Sequence, residues 1–300
     1  MKKIRNQKVV IGNGIASLLL VILIYPNLSM DYLLHQFVII GFLAFGLAVE
    51  MLSGVLDFAF VSEIVVTTFI GARMIQNGSS LLVVIPVILC LQMGMGVIKG
   101  WMIGTFFVNH PILLTLILQR LLKGCCSYLD DNLQVVILTK DFYNSPVFWG
   151  VMLLLLAGVG IILTWGLRKT YYGRYIRMLG EDEIVVHNSG MNVKGIRMVI
   201  CGLAGLFYGI AAVILLLITS GGGANTGNHY LYPAIAAVCL GGMNFLKGTG
   251  QIRGVIGGTV TVVLLMNLFA KWNIYGYYAY IVEVILILIA VVIFTRQKKN

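Results

Sequence analysis

Four carboxylates stand in or beside long apolar runs: Glu50, Asp57, Glu63 and Glu283. An ionisable group at the centre of a membrane helix costs roughly 2.5–3.5 kcal/mol on insertion scales, so each asks for a reason. Asp57 follows Ser53-Gly54, where the apolar pattern breaks. A carboxylate there can cap the N-terminus of a half-helix. It can also serve directly in a pathway or gate. Glu50 and Glu63 can reach toward an interface, and the set together could relay protons in an ion-coupled carrier. No catalytic constellation accompanies them. His35, His110, His187 and His229 fall on separate segments, and no HExxH or GxSxG occurs. Cys90, Cys125, Cys126, Cys201 and Cys239 show no metal-ligand spacing, and the Cys125-Cys126 pair reads as structural. No GxxxxGK[ST] is present, so any ATP must be bound by another chain. These absences point away from an enzyme, a metal site or a cofactor.

The other chemically rich stretch is hydrophilic, about 168–193. Arg168, Lys169, Arg174 and Arg177 mark its entry. Gly180-Glu181-Asp182-Glu183 then reads as the opening of a short helix, with acids at its positive end. Ile184-Val185-Val186 gives that helix an apolar patch, and His187 follows it. Ser189-Gly190 closes it at a C-terminal glycine, ahead of Asn192. Such a helix either lies on lipid or docks a partner protein. The scarcity of cations after Arg177 favours a protein.

Composition says what must position these groups. Hydrophobic residues make up 59% of the 300, charged residues only 11%, and mean hydropathy is +0.96. An average soluble protein has about 25% charged residues. Too few charges remain here to solvate a globule, and a bilayer resolves the conflict. The apolar runs are continuous rather than alternating, which argues against a membrane barrel. The expected fold is all-α: a polytopic helix bundle of about ten transmembrane helices with broken or re-entrant segments, in one domain over 1–300. The expected spans are about 9–25, 33–52, 55–75, 81–98, 100–122, 147–167, 195–219, 231–246, 251–271 and 276–295. A polar loop covers about 123–146. The N-terminal Met1-Lys2-Lys3-Ile4-Arg5 resembles a signal n-region, but no small-residue cleavage site follows, so the run reads as the first span.

The net charge of +10 could suggest nucleic acid; in a membrane protein it sets topology instead. With both termini on the cytoplasmic side, all but five of the 21 basic residues face the cytoplasm, Lys99 among them. The five left over are Arg73, Arg120, Lys123, Lys140 and Lys271. Glycines recur at helix-packing spacings, Gly202, Gly205 and Gly209, then Gly250, Gly254, Gly257 and Gly258.

Several of these stretches carry a family resemblance. Leu179-Gly180 through Ser189-Gly190-Met191-Asn192-Val193 resembles the cytoplasmic loop of the ribose-type ABC transporter permeases, the branched-chain amino acid and simple-sugar group. Ala234 to Gly242, closing on Leu240-Gly241-Gly242, is similar to that family's AIAAxxLGG. Gly248, Gly250, Gly254 and Gly258 fall on its next glycine pattern, with Asn267 on an Asn in the following helix. Ser53-Gly54-Val55-Leu56-Asp57 resembles its GGIDLS element, and Pro111, Thr115, Lys123 and Gly124 its PPFIVTLG element. The chain departs from the family at Val185, Val186, His187, Leu231, Pro233 and Glu283.

The resemblance implies a permease subunit in the bacterial cytoplasmic (inner) membrane. Two permease subunits would form the path, with Ser53, Gly54, Asp57, Thr115, Gly241, Gly242 and Asn267 at the pathway or its helix breaks. Cytoplasmic ATP-binding subunits would grip the loop at Gly180, Glu181, Asp182, Glu183, Val185, Val186, His187, Ser189, Gly190 and Asn192. An extracytoplasmic binding protein would deliver a monosaccharide. Sugar as the solute comes from the resemblance alone. A nucleoside or another polar solute on the same architecture is the first alternative, and an ion-coupled carrier using Asp57 and Glu63 the second.

Overall fold

The structure, a computed structural model, describes residues 30–108, 110–129, 145–244 and 248–272, with 281, 284, 285 and 288. Its helices are α1 (Met30–Leu52), α2 (Phe60–Gln76), α3 (Leu81–Thr105), α4 (Pro111–Leu129) and α5 (Pro146–Lys169). Then come α6 (Tyr171–Glu181), α7 (Glu183–Asn188), α8 (Val193–Thr219), α9 (Leu231–Leu240) and α10 (Ile252–Lys271). A short 3-10 turn, Asn228–Tyr230, precedes α9. No strand is formed among the described residues. A helix satisfies its backbone polar groups within its own segment, which is what a bilayer requires.

Among the described residues six helices, α1, α3, α4, α5, α8 and α10, are long and apolar enough to cross a membrane. The expected count of about ten is not reached. Two segments fall short for visible reasons. The run expected over 231–246 stops at Leu240, where Gly241-Gly242 turns the chain with Gly242 at φ +85°. Ten residues rise only about 15 Å, half a bilayer. The run expected from 55 becomes helical only at Phe60, after an irregular stretch over 53–59. The expected span 9–25, most of 276–295 with Glu283, and the loop over 130–144 lie outside the described residues. The break expected near residue 99 falls at 106–110 instead, and Pro111 opens α4. Proline suits a first helical position because its missing N–H needs no partner there.

The packing is that of a membrane protein. Outward faces carry Leu82, Val83 and Ile98 on α3, Leu113, Ile117 and Leu121 on α4, and Val151, Leu154, Ile161 and Ile162 on α5. Charges are inside. α1 and α8 are mostly buried, and α8 packs most extensively on α3, then on α1 and α2. Glycines make the α3–α8 seam close: Gly96 and Gly100 of α3 meet the α8 backbone at Cys201 and Arg197, and Gly205 of α8 meets that of α3 at Gln92. A second seam joins α9 to α10 through Gly241, Gly254 and Gly258. Both are the close approaches that the glycine spacings predict.

Candidate functional site

The end of α1, the irregular segment after it, the start of α2, and α3 converge on one buried ion cluster. Lys99 Nζ donates to Asp57 Oδ2 at 2.5 Å. It lies 3.3 Å from Glu50 Oε1 and 3.1 Å from Glu63 Oε1. All four side chains are buried. Tyr208 of α8 donates its hydroxyl to Glu50 Oε2 at 2.8 Å. One ammonium thus faces three carboxyl groups on three successive pieces of chain. Lys99 is therefore not a charge that faces the cytoplasm, as its basic character suggested. It belongs to the α3 face that packs inward beside Gly96 and Gly100. A buried charge must be paired, and only the neighbouring acids can do it.

Asp57 divides its carboxylate. Oδ1 accepts the Ala59 N–H at 2.7 Å, at the entry of α2, and Oδ2 takes Lys99. The geometry thus contains both a cap and an ion pair. An Asn in its place can keep the first through its carbonyl, but presents an amide donor or a neutral oxygen to the ammonium. Asp57→Asn should therefore fall between the wild type and Asp57→Leu in membrane abundance and uptake. Equal activity of Asn and wild type would reduce Asp57 to a cap.

The neighbours hold the break open. Ser53 donates to the Glu50 carbonyl at 2.7 Å, and Gly54 takes φ +82°. Thr115 of α4 donates to the Leu56 carbonyl at 3.2 Å and to Ile112 at 3.0 Å. Ser53, Gly54, Asp57 and Thr115 thus form one site. Gly241 and Gly242 stand at a second break, which an antiparallel bridge between Asn244 and Thr249 closes. Asn267 is buried on α10, apart from both breaks in sequence.

The hydrophilic loop folds as two helices, not one. The first, α6, holds Gly180 in its last turn, so Gly180 does not open a helix. In α7 the Asp182 carboxylate accepts the Ile184 N–H at 3.0 Å and caps the helix. Glu183 pairs with the buried Arg197 of α8 at 2.7 Å. Ser189 donates to the Val186 carbonyl at 2.7 Å, Gly190 takes φ +76°, and Asn192 caps α8 by accepting from Gly195 at 2.9 Å. Val186 is fully buried with Leu179 and Val193. It anchors the loop and does not form part of an exposed patch with its neighbours. Ile184, Val185, His187 and Glu181 are exposed.

Gly180 joins the loop to both breaks. A methyl group on it would run into the Leu52 carbonyl oxygen and lie 2.9 Å from Gly248 Cα. One on Gly54 would lie 3.6 Å from Gly180 Cα. Three glycines thus bring the loop against the end of α1 and against the turn that follows α9.

A family model described as "Branched-chain amino acid transport system / permease component" matches residues 29–291. The chain belongs to this permease family. The permease is 26% identical to the ribose import permease protein RbsC of Escherichia coli K12 over 303 residues, 95% of this chain and 94% of that one. It is 29% identical to the autoinducer 2 import system permease protein LsrD of Yersinia enterocolitica, over 77% of this chain and 72% of that one. It is 30% identical to the xylose transport system permease protein XylH of Haemophilus influenzae, over 56% and 44%. No solved structure matches the permease.

Sequence reasoning missed three buried partners in these polar contacts. Lys99 is a lone cation in an otherwise uncharged 25-residue helix, and three lone acids in the nearby runs were the signal for its partners. Tyr208 gives no such signal. Arg197 sits in the first turns of α8, where a topology charge looks the same as a buried partner for Glu183.

Proposed function

We propose that this chain is the membrane-spanning subunit of a binding-protein-dependent ABC importer of a monosaccharide, a ribose-like pentose or a hexose. The observation that carries the reading is the loop between α5 and α8. Its structural residues are spent on holding it, while Ile184 and Val185 stay exposed on a capped helix tied through Gly180 to both breaks. A separate ATPase subunit that grips α7 can displace those breaks. Two permease subunits, identical or not, complete the path, and an extracytoplasmic binding protein supplies the solute. Relatives named for ribose and xylose support a sugar.

The path runs past Ser53, Gly54, Asp57 and Thr115 at the first break and past Gly241, Gly242 and Asn267 near the second. The chain itself carries out no chemical conversion. An ion-coupled carrier fits less well, because Asp57 and Glu63 are both engaged by Lys99. The loop and both termini lie in the bacterial cytoplasm. In intact cells a thiol reagent added outside should leave Arg174→Cys unlabelled, and efficient labelling would invert this topology.

The function is tested by uptake of radiolabelled ribose, xylose and glucose in cells with and without the permease, its ATPase and its binding protein. Uptake of one monosaccharide that needs all three supports the reading. Uptake of a nucleoside alone replaces the solute and keeps the architecture. Uptake that survives loss of the ATPase overturns it.

A further inference from the structure

We propose that α6 binds anionic phospholipid: its aromatic face, with Lys169, Arg174 and Arg177, holds phosphate headgroups where α5 leaves the membrane. The inference is independent of the transported solute.

The first support is position. α5 is a spanning helix that ends at Lys169. Thr170 then turns the chain, donating to the Gly166 carbonyl at 2.5 Å and accepting the Gly173 N–H at 3.1 Å. Gly173 packs so closely on α5 that a methyl group there would lie 2.5 Å from the Gly166 oxygen and from Leu167 Cα. The start of α6 is thereby pinned against the last turn of α5, at headgroup level.

The second support is the exposed face. Tyr171, Tyr172, Arg174 and Met178 point away from the protein, while Gly173 and Leu179 are buried. The Tyr171 ring packs on that of Tyr175 at 4.3 Å, and the Tyr175 hydroxyl bonds that of Tyr171 at 2.6 Å. Trp165 of α5 is exposed nearby in sequence. Rings with one polar edge are the side chains that settle at a membrane–water interface.

The third support is charge. Arg168, Lys169, Arg174 and Arg177 fall within ten residues, with no acid before Glu181. Arg168 is committed to Gln251 at 2.6 Å. Arg177 is half-buried, and its Nε is buried without a hydrogen-bond partner among the described residues. Burial and the nearby Arg168 push this guanidinium below its usual range, with Glu181 opposing them. Lys169 and Arg174 are exposed, and a phosphate at this level would meet their charge. The acids cluster instead on Glu181, Asp182 and Glu183, at the junction of α6 and α7. The two helices thus present different chemistry, cationic and aromatic in α6, acidic and aliphatic in α7. That contrast favours lipid for α6 and protein for α7.

The test reconstitutes the permease with its ATPase subunit in vesicles of equal parts phosphatidylglycerol and phosphatidylcholine. Lipid retained through detergent extraction is then counted by mass spectrometry. Wild type should retain phosphatidylglycerol several-fold over phosphatidylcholine. Lys169→Gln with Arg174→Gln should lower that enrichment about fivefold or more. Arg73→Gln, on α2 and away from α6, should leave it unchanged. Tyr171→Ala with Tyr175→Ala should reduce retention of both lipids. Unchanged enrichment in the Lys169/Arg174 variant overturns the proposal. So does a variant that keeps its phosphatidylglycerol and loses the ATPase subunit, because α6 would then be a protein dock.

Discussion

A Lys99→Met permease should be nearly absent from the membrane, while Glu63→Gln accumulates close to the wild-type level. The asymmetry follows from the charge count. Lys99 is the only cation within ion-pair distance of Glu50, Asp57 and Glu63 among the described residues. Its removal leaves three carboxyl groups crowded together in a buried site with no counter-charge. Removing one partner of a buried pair costs about 3–5 kcal/mol, and here a single substitution strips three partners at once. That is comparable with the whole stability of an ordinary domain, about 5–15 kcal/mol. Glu63→Gln takes away one of three acids and leaves the ammonium its two others. Lys99→Arg keeps the charge in a planar fork that does not fit a site built for a point donor, so it should fall between. Immunoblots of membrane fractions, with thermal unfolding of the detergent-purified chain, read all three. Equal losses for Lys99→Met and Glu63→Gln would show that the cluster is not held by its cation.

Gly180→Val should insert normally and import almost nothing. The added Cβ meets the Leu52 carbonyl oxygen, and backbone cannot rotate out of the way as a side chain can. On the other side stands Gly248, 2.9 Å from the same position. Overpacking of this kind costs about 1–3 kcal/mol and is relieved by moving the loop. Each spanning helix makes its own packing elsewhere, so insertion survives. Contact between loop and breaks does not, and uptake should drop roughly tenfold or more. Gly180→Ala places the same Cβ in the same gap and should be impaired less, since it adds no branched γ carbons. Normal uptake by Gly180→Val would mean that the loop acts on the breaks by some other route.

Much of the bundle is legible in the sequence because the bilayer sets a length that apolar runs must match. α1, α5, α8 and α10 start and end within a few residues of expectation, being bounded by charge, proline or glycine. The half-helices are harder. A run such as Leu231 to Met243 carries no charged or amide side chain, and only the tandem glycine at 241–242 says that it turns back before crossing. Hydropathy measures what a segment can dissolve in, not where its backbone bends. Lys99 fails for a related reason: a lone lysine near a helix end reads as a snorkelling topology charge unless its partners are known. Those partners lie 36 to 49 residues away in sequence and meet only on folding.

In the loop, the sequence marks Gly190 as the glycine that closes the helix, and it takes the left-handed φ of +76°. The burial of Val186 is not legible in the same way, since a six-residue helix is too short for periodicity to pick a face. Leu179, Val186 and Val193 recur every seven residues, and that spacing was the available signal.

In the proposed coupling, α7 docks an ATPase subunit through its exposed Ile184 and Val185. Co-purification of that subunit with the permease tests this contact, using Val185→Asp and Ile184→Asp beside Val186→Asp. Val186 is buried, so its aspartate should lower the abundance of the chain itself. Val185 and Ile184 are exposed, and their aspartates should leave abundance unchanged while the ATPase subunit no longer co-purifies. If it is retained in full by both exposed-site variants, and uptake with it, α7 is not the dock and the account of coupling fails.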